Sequence, residues 1–308
     1  MQKFNFGDNL IKWIKTIYSE CNAKVKNNGY LSESFKISRG IKQGCPVSAL
    51  LFNLTVETMA LSLKNNEQIK GVKIKVSDTI YHVKLTQYAD DCTLFLADLN
   101  NIPEALALIS RFTKVSGLKL NIEKTEAMGL GTQRGLADNI FGVQFVDKPI
   151  KFLGIFVGSN ESACNERNWS EKLAKIEKIL ASWKHRDLTI FGKILIIKTL
   201  ALSIITHVAI SVSVQPDTIK RLNKLFFGFI WGKRDRIKRN ILRLPIAEGG
   251  ANMVDVELFV TSLKASWLPR ILNKNNNWSC LGKKYLSVLG TKTQISNFCF
   301  EKDYSIKE

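Results

Sequence analysis

The chain has 308 residues, enough to bury a substantial core and to form one large or two ordinary domains. Its 45% hydrophobic and 23% charged residues are typical of a globular protein and exclude an intrinsically disordered one. The 45 Lys and Arg against 27 Asp and Glu give a net charge of +18. This excess favours a polyanionic partner, either nucleic acid or an acidic membrane surface.

Cysteine and histidine usage argues against a zinc module, because the six scattered cysteines form no C-x-x-C pair and there are only three histidines. The first residues lack the basic-then-apolar pattern of a secretory leader, so we expect an intracellular protein with reduced thiols. Residues 194–214 approach the length of a membrane span. Polar residues such as Lys198 and His207 interrupt this stretch, so we interpret it as a buried helix and expect no membrane partner.

Helical spacing of apolar residues recurs along the chain and predicts helices, in order, at 10–18, 48–63, 103–117, 165–183, 190–209 and 218–231. Asp8 or Asn9 is expected to cap the first of them. Pro46 is expected to start the second, because proline costs little in the first helical turn.

Runs of β-prone residues bounded by turn signals predict strands, in order, at 23–26, 31–37, 71–76, 80–85, 127–130, 143–146 and 150–157. The first two are expected to pair around Asn27-Asn28-Gly29, and the next two around Ser77-Asp78. We also expect 143–146 to pair with 150–157. Since strands are predicted only before residue 158, an α+β region should precede a mainly helical one, with a boundary at 158–165.

Two adjacent carboxylates, Asp90 and Asp91, stand between Tyr88-Ala89 and the apolar run 94–96. This pattern is typical of a hairpin with acids at or beside its turn. Neighbouring side chains on a strand point to opposite faces, so both acids can serve one site only if the backbone turns there. A divalent cation with hard oxygen ligands would compensate the paired charge. The alternative is a solvated turn, where Asp is common.

Four segments carry a resemblance to a known family. Tyr88-Ala89-Asp90-Asp91 resembles the signature box of reverse transcriptases. Residues 39–54 resemble the preceding box of non-LTR (LINE-type) retrotransposon polymerases, and residues 117–126 resemble the next box. Phe152-Leu153-Gly154 is similar to the primer-grip segment that follows. These boxes stand in the family's order and spacing, and with the similar segments 188–198 and 226–231 the resemblance covers about residues 4–275.

The resemblance implies an α+β fold: a reverse-transcriptase palm, with an antiparallel sheet and packed helices, followed by a mainly α-helical thumb or post-palm domain. We therefore expect an N-terminal helix of the palm at 1–28, the palm proper at 29–160, a helical thumb with a basic region at 161–275, and a tail at 276–308.

The resemblance also implies catalytic residues. Asp90 would be the principal ligand of two Mg²⁺ ions, and Asp91 would support it. Lys124 would stabilise charge on the triphosphate or donate a proton to pyrophosphate. Alternatively, Lys124 is an exposed lysine paired with Glu123 or Glu126. Asn121 is expected to brace the turn that precedes Lys124.

Nucleotide and primer contacts are implied at two further segments. Gln43, Gly44 and Pro46 would lie against the nascent base pair, with Gly44 allowing close backbone approach, and Arg39 would face phosphates. Without the resemblance, Gly-Cys-Pro is simply a turn into a helix. Phe152, Leu153 and Gly154 would place the primer end, although by themselves they read as an apolar strand ending in glycine.

A basic cluster in the second half predicts phosphate contact, and it consists of Lys233, Arg234, Arg236, Lys238, Arg239 and Arg243. Aromatic residues lie just before it, at 226–231. Trp231 could stack on a base, but the helical spacing of these aromatics favours the core.

Family members carry another metal-binding aspartate in an earlier palm box, upstream of the stretch that residues 1–7 resemble, and Asp8 does not match it. We therefore expect a fragment without fingers, first aspartate box or endonuclease domain. Two functions stay open. One is an RNA-directed DNA polymerase that uses an RNA template, a DNA primer and deoxynucleoside triphosphates. The other is a non-catalytic nucleic-acid binder, a relic of such a polymerase, in the nucleus or cytoplasm. The sequence predicts no oligomeric state.

Overall fold

The computed structural model describes residues 1–38, 40–76, 79–232, 234–273, 279, 282 and 283. They group into two compact units, one of Met1–Val72 with His82–Leu120 and one of Lys73–Tyr81 with the described part of Asn121–Glu308. Arg39, Lys233, the turn at Ser77-Asp78 and nearly all of the predicted tail at 276–308 lie outside the described residues.

Unit one contains three α-helices and a series of short strands. Its helices are α1 (Asp8–Ser19), α2 (Pro46–Asn65) and α3 (Asn101–Ser116). The strands from the start of the chain to Leu94 are β1 (Asn22–Ala23), β2 (Lys26–Asn27), β3 (Tyr30–Leu31), β4 (Phe35–Lys36), β5 (Val72–Val76), β6 (Thr79–Val83), β7 (Leu85–Tyr88) and β8 (Asp91–Leu94). The strand pairs are β1–β4, β2–β3, β5–β6 and β7–β8. Most of β5 and of β6 groups with unit two.

All three predicted helices of unit one are confirmed, but the expected cap of α1 is wrong. Gly7 is its N-cap residue, and no side chain caps the helix. Asp8 is instead the first helical residue, where its negative charge is favourable beside the positive end of the helix dipole. Pro46 starts α2 as predicted. Gly117, at φ +74°, ends α3 in the left-handed conformation that glycine adopts without strain.

The predicted pairing across Asn27-Asn28-Gly29 is confirmed, although it is interrupted. β2 pairs with β3 next to the turn, and β1 pairs with β4 further away. Between the two ladders the Val25 N–H donates to the Ser32 hydroxyl, at 2.9 Å, instead of to a backbone carbonyl.

The described strands after Leu120, all in unit two, form one three-stranded and one two-stranded sheet. They are β9 (Glu126–Ala127), β10 (Asn139–Ile140), β11 (Val143–Phe145), β12 (Ile150–Phe152) and β13 (Ile155–Val157). β11 lies between antiparallel β10 and parallel β9, and β12 pairs with β13. The expected pairing of 143–146 with 150–157 is wrong. Leu153 and Gly154 have φ of +46° and +83°, so residues 150–157 turn back on themselves as a hairpin.

The rest of unit two is helical, and no strand follows Val157 in the described part of the chain. The helices are α4 (Glu161–Lys184), α5 (Ile190–Ile196), α6 (Leu202–Ser211), α7 (Pro216–Trp231), α8 (Arg239–Arg243), α9 (Val256–Ala265) and α10 (Leu268–Asn273). Residues Ile197–Ala201, with π-helical hydrogen bonds, join α5 to α6 without a break. The three predicted helices of this half are confirmed. The secondary structure of the described residues therefore changes from mixed to helical near residue 160, as predicted. The compact units, however, divide between residues 120 and 121. The boundaries of the palm and thumb stay predictions.

Two helices, Pro46–Asn65 and the continuous Ile190–Ser211, are long and apolar enough to cross a membrane by length and composition alone. The second contributes Ile194, Ile197, Ile205 and Val208 to the main hydrophobic core, where they pack with residues of α4, α7 and α9. This packing agrees with the predicted buried helix, because core helices of soluble proteins pass the same test.

Candidate functional site

The Asp90-Asp91 pair lies at the tip of the β7–β8 hairpin. The two strands pair from Leu85↔Leu94 to Tyr88↔Asp91, so Ala89 and Asp90 form a two-residue turn. Ala89 adopts φ +52°, a left-handed conformation that is uncommon for a residue other than glycine. The predicted turn is therefore confirmed, and its backbone is strained next to the carboxylates.

The register of this hairpin decides which side chains meet water. Leu85, Cys92 and Leu94 share the face that packs on Met59 and Leu63 of α2 and on residues of α3. Burial on that face raises the pKa of the Cys92 thiol. Side chains alternate along a strand, so Tyr88 and Asp91 take the opposite face. Both are exposed, as is Asp90 in the turn.

The exposed pair fits part of a metal site. Mg²⁺ takes hard oxygen ligands and is commonly held by one or two carboxylates together with substrate phosphates and water. Asp90 and Asp91 supply such oxygens. In the described part of the chain no group of three or more His, Cys, Asp or Glu side chains is arranged to hold a metal ion. The two carboxylates alone would need phosphate or water oxygens to complete the ligands of Mg²⁺. They equally match the solvated turn that the sequence left open.

Gln43 and Gly44 form the turn that leads into α2, in the same unit as the carboxylates. Gly44 has φ +82°, and a Cβ atom there would meet nothing within 4 Å. Glycine is thus required by the backbone conformation, and the space beside it is open to a ligand. Gln43 and Pro46 are exposed.

Residues on both sides of Gly44 are hydrogen-bonded to α1, a feature that the sequence did not predict. The hydroxyls of Tyr18 and Ser48 share a hydrogen bond of 2.6 Å, and Lys42 Nζ donates to the Ile17 carbonyl at 2.9 Å. Cys45 is the N-cap residue of α2. Hydrogen bonds from the Val47 backbone and from Ser48 hold the pKa of the Cys45 thiol below its usual range.

Lys124 lies in unit two, at the end of the 3-10 turn Ile122–Lys124. The Asn121 side chain accepts the Lys124 N–H at 3.1 Å, which confirms the predicted brace. Glu126 pairs with Lys148 at 3.7 Å. Within the described residues no carboxylate lies within 4 Å of the Lys124 ammonium, so the predicted alternative pairing with Glu123 or Glu126 does not form.

Phe152, Leu153 and Gly154 lie at the β12–β13 turn, so the reading of an apolar strand that ends in glycine is wrong. His207 of α6 donates from Nε2 to the Leu153 carbonyl at 2.9 Å. His207 belongs to this site, yet sequence reasoning missed it. It lies 54 residues from Leu153, and no local pattern links the two.

The basic cluster is divided by the fold. Arg234, Arg236 and Lys238 are exposed. Arg239 instead stacks over the Phe227 ring at 4.3 Å and pairs with Asp235 at 2.8 Å. Arg243 pairs with Asp255 at 2.6 Å. The last two arginines are therefore partly used by the protein itself.

The aromatic residues before the cluster are mainly core, as the sequence favoured. Phe226, Phe227 and Phe229 are buried. Trp231 packs against the same core, and its indole N–H is buried without an acceptor among the described residues. This packing argues against the stacking role considered for Trp231.

Comparison with known proteins gives a family. The model of the family described as reverse transcriptase (RNA-dependent DNA polymerase) matches residues 1–157. The uncharacterized 149 kDa protein of transposon TX1 from Xenopus laevis is 24% identical over 314 residues, which cover 100% of this chain and 23% of that protein. The Pol polyprotein of a type-2 retrotransposable element from Drosophila melanogaster is 28% identical over 123 residues, which cover 40% of this chain and 11% of that protein. The Pol polyprotein of a type-1 retrotransposable element from Popillia japonica is 24% identical over 135 residues, which cover 44% of this chain and 22% of that protein.

The hairpin with two exposed carboxylates at its tip lies within the half of the chain that matches this family. The chain belongs to the reverse transcriptase (RNA-dependent DNA polymerase) family. Its relatives place it in the LINE-type, non-LTR retrotransposon lineage. Reverse transcriptases generally use divalent metal ions. The chain spans 23% or less of the length of these relatives.

Proposed function

We propose that the chain forms palm and thumb portions of an RNA-directed DNA polymerase that joins deoxynucleotides to a DNA primer on an RNA template. The observation that carries this proposal is the exposed Asp90-Asp91 turn in the half of the chain that matches the family. Inside a cell, either the nucleus or the cytoplasm would supply the nucleic acid and the deoxynucleoside triphosphates that this activity needs.

The proposed roles are assigned to residues of the candidate site that are exposed. Asp90 would be the principal ligand of Mg²⁺, and Asp91 would assist it. When bound, this metal supplies activation of the primer 3′-hydroxyl and neutralisation of the leaving pyrophosphate. Gln43 and the open space beside Gly44 would receive the nascent base pair. The ammonium of Lys124, which pairs with no carboxylate among the described residues, would contact the triphosphate.

Primer and strand contacts would come from unit two. The turn at Leu153 and Gly154, which His207 holds by a hydrogen bond, would position the primer end. Exposed Arg234, Arg236 and Lys238 would contact phosphates, because cations on a protein surface replace the counterions of a nucleic-acid strand.

A second candidate is a nucleic-acid binder without catalysis. The net charge of +18 and the exposed basic cluster favour it, since neither requires a metal site. In filter-binding titrations across salt, this binder should lose affinity as salt rises. Affinity that is indifferent to salt would contradict phosphate contact by the cluster.

Primer extension on an RNA template tests the enzymatic proposal. Asp90→Asn removes the charge of the carboxylate with little change in shape. Glu57→Gln is the matched control, because Glu57 is an exposed acid on α2 of the same unit. We expect extension by the wild type and by Glu57→Gln, and none above background by Asp90→Asn. Equal extension by all three would dismiss the metal role. Salt-dependent binding without extension by the wild type would favour the binder.

A further inference from the structure

Unit two contains an open pocket that the proposed roles do not use. It has a volume of about 490 Å³, within the range of sites for small ligands. Four segments form it: the π-helical turn that joins α5 to α6, the end of α8, the loop before α9, and α9 itself. Its charged lining residues are Lys198, Arg243 and Asp255.

The charge of this pocket is unbalanced. Asp255 Oδ2 pairs with Arg243 at 2.6 Å, and Asp255 Oδ1 accepts the N–H groups of Glu257 and Leu258 at 3.0 and 3.2 Å. Both oxygens of Asp255 are therefore occupied. Lys198 is half-buried, and in the described part of the chain it has no carboxylate within 4 Å. A partly desolvated ammonium of this kind gains from an anionic ligand.

Other hydrogen-bond donors in the pocket lining also suit an anionic ligand. Arg243 Nε is buried and has no acceptor among the described residues, although its terminal nitrogen is paired. Asn252 lies on the lining with an exposed side chain and φ +52°, a conformation that asparagine tolerates better than most residues. Its carboxamide can donate to an anion or to the edge of a base.

Part of the pocket lining, on α9, is apolar. Leu258 is 69% exposed, a large fraction for a leucine next to a hydrophobic core. Phe259 lies beside it, half-buried. A ligand with an anionic group and a flat apolar group would match both the charged and the apolar lining residues. A nucleotide has both parts, and base stacking on aromatic side chains is common in single-strand recognition.

We propose that this pocket binds one nucleotide unit of a single-stranded nucleic acid, with the phosphate at Lys198 and the base against Leu258 and Phe259. The inference rests on the proposed nucleic-acid-binding function. It adds a site that is separate from exposed Arg234, Arg236 and Lys238, and it requires neither Mg²⁺ nor catalysis.

Salt-dependent binding of a short single-stranded oligonucleotide tests the phosphate contact. Lys198→Met removes the ammonium and keeps the alkyl chain, whereas Lys175→Met removes an exposed charge from α4 as the matched control. Loss of one contact should lower the slope of log K against log salt by about 0.7 and weaken affinity about fivefold at 0.1 M salt. We expect this change for Lys198→Met only.

Equal slopes and affinities for Lys198→Met and Lys175→Met would overturn the pocket and leave the proposed function intact. Wild-type affinity that does not vary with salt would overturn both.

Crosslinking and competition test the base contact. An oligonucleotide with 4-thiothymidine should crosslink, on irradiation, to the peptide that contains residues 252–262, and Phe259→Leu should reduce that product. Thymidine monophosphate should compete at lower concentration than inorganic phosphate. Equal competition by the two, or crosslinks confined to other peptides, would overturn the base contact.

Discussion

Asn168 connects α4 to the hairpin that carries the turn at Leu153 and Gly154. Its side chain is buried at 2% exposure. Its Oδ1 accepts the Phe156 N–H at 2.8 Å, and its Nδ2 donates to the Phe156 carbonyl at 2.9 Å. The amide thus satisfies both backbone groups of one β13 residue, as a neighbouring strand would. Asn168→Ala leaves the N–H and the carbonyl of Phe156 buried without hydrogen-bond partners. Each such unsatisfied group costs about 1–3 kcal/mol. After local adjustment we expect a loss of about 2–5 kcal/mol in the free energy of unfolding.

Urea unfolding at 25 °C, with hydrogen exchange of the Phe156 amide, measures this effect. Ser170→Ala, an exposed change on the same helix, should stay within about 0.5 kcal/mol of the wild type. Asn168→Asp should also destabilise the protein at neutral pH, because a buried carboxylate cannot donate to the Phe156 carbonyl. Burial should raise the pKa of the introduced carboxyl, so part of the stability should return at acidic pH, where the protonated group donates. A loss below 1 kcal/mol for Asn168→Ala, with unchanged exchange at Phe156, would refute the reasoning.

Three further predictions concern the candidate site. Ala89→Val places a β-branched residue at φ +52° and should cost about 1–2 kcal/mol in urea unfolding, whereas Ala89→Gly should not; equal stability of the two variants would contradict the strained turn. Because the pKa of the Cys45 thiol is lowered, its reaction with iodoacetamide should begin at lower pH than that of a model peptide. Ser48→Ala should move that pH profile upward, and an unmoved profile would exclude the hydroxyl as a cause. Arg236→Gln should lower the salt slope of nucleic-acid binding by about 0.7 at unchanged stability. Arg239→Gln should instead lower stability by about 0.5–1 kcal/mol, through loss of its stacking and ion pair; the opposite ranking of the two arginines would contradict the contacts in the structure.

The helices and the acidic turn could be predicted from the sequence because their signals are local. Apolar residues at helical spacing marked α1 and α4, and Pro46 marked the start of α2. The turn at Asp90 followed from two β-prone runs on either side of a polar pair, and the structure confirms it. Local signals did less well at α1, where Asp8 stands inside the helix instead of capping it.

The partners of polar groups could not be predicted in this way. Residues 150–157 were expected to pair with a neighbouring strand, but the backbone of Leu153 and Gly154 turns them into a hairpin. Arg239 was expected to contact phosphate as part of the basic cluster, whereas in the structure it stacks on the ring of Phe227 and pairs with Asp235. His207 did not enter the predicted site at all.

The sequence by itself determined the family, the order of the helices and the place of the two carboxylates, because each depends on residues close together in the chain. Only the tertiary structure decided which cations stay free and which polar groups hold the turn at Leu153. Arg243 pairs with Asp255, whereas Lys198 has no carboxylate within 4 Å among the described residues, because packing brings Asp255 to Arg243 and not to Lys198. Such choices depend on residues far apart in the chain, where spacing carries no signal.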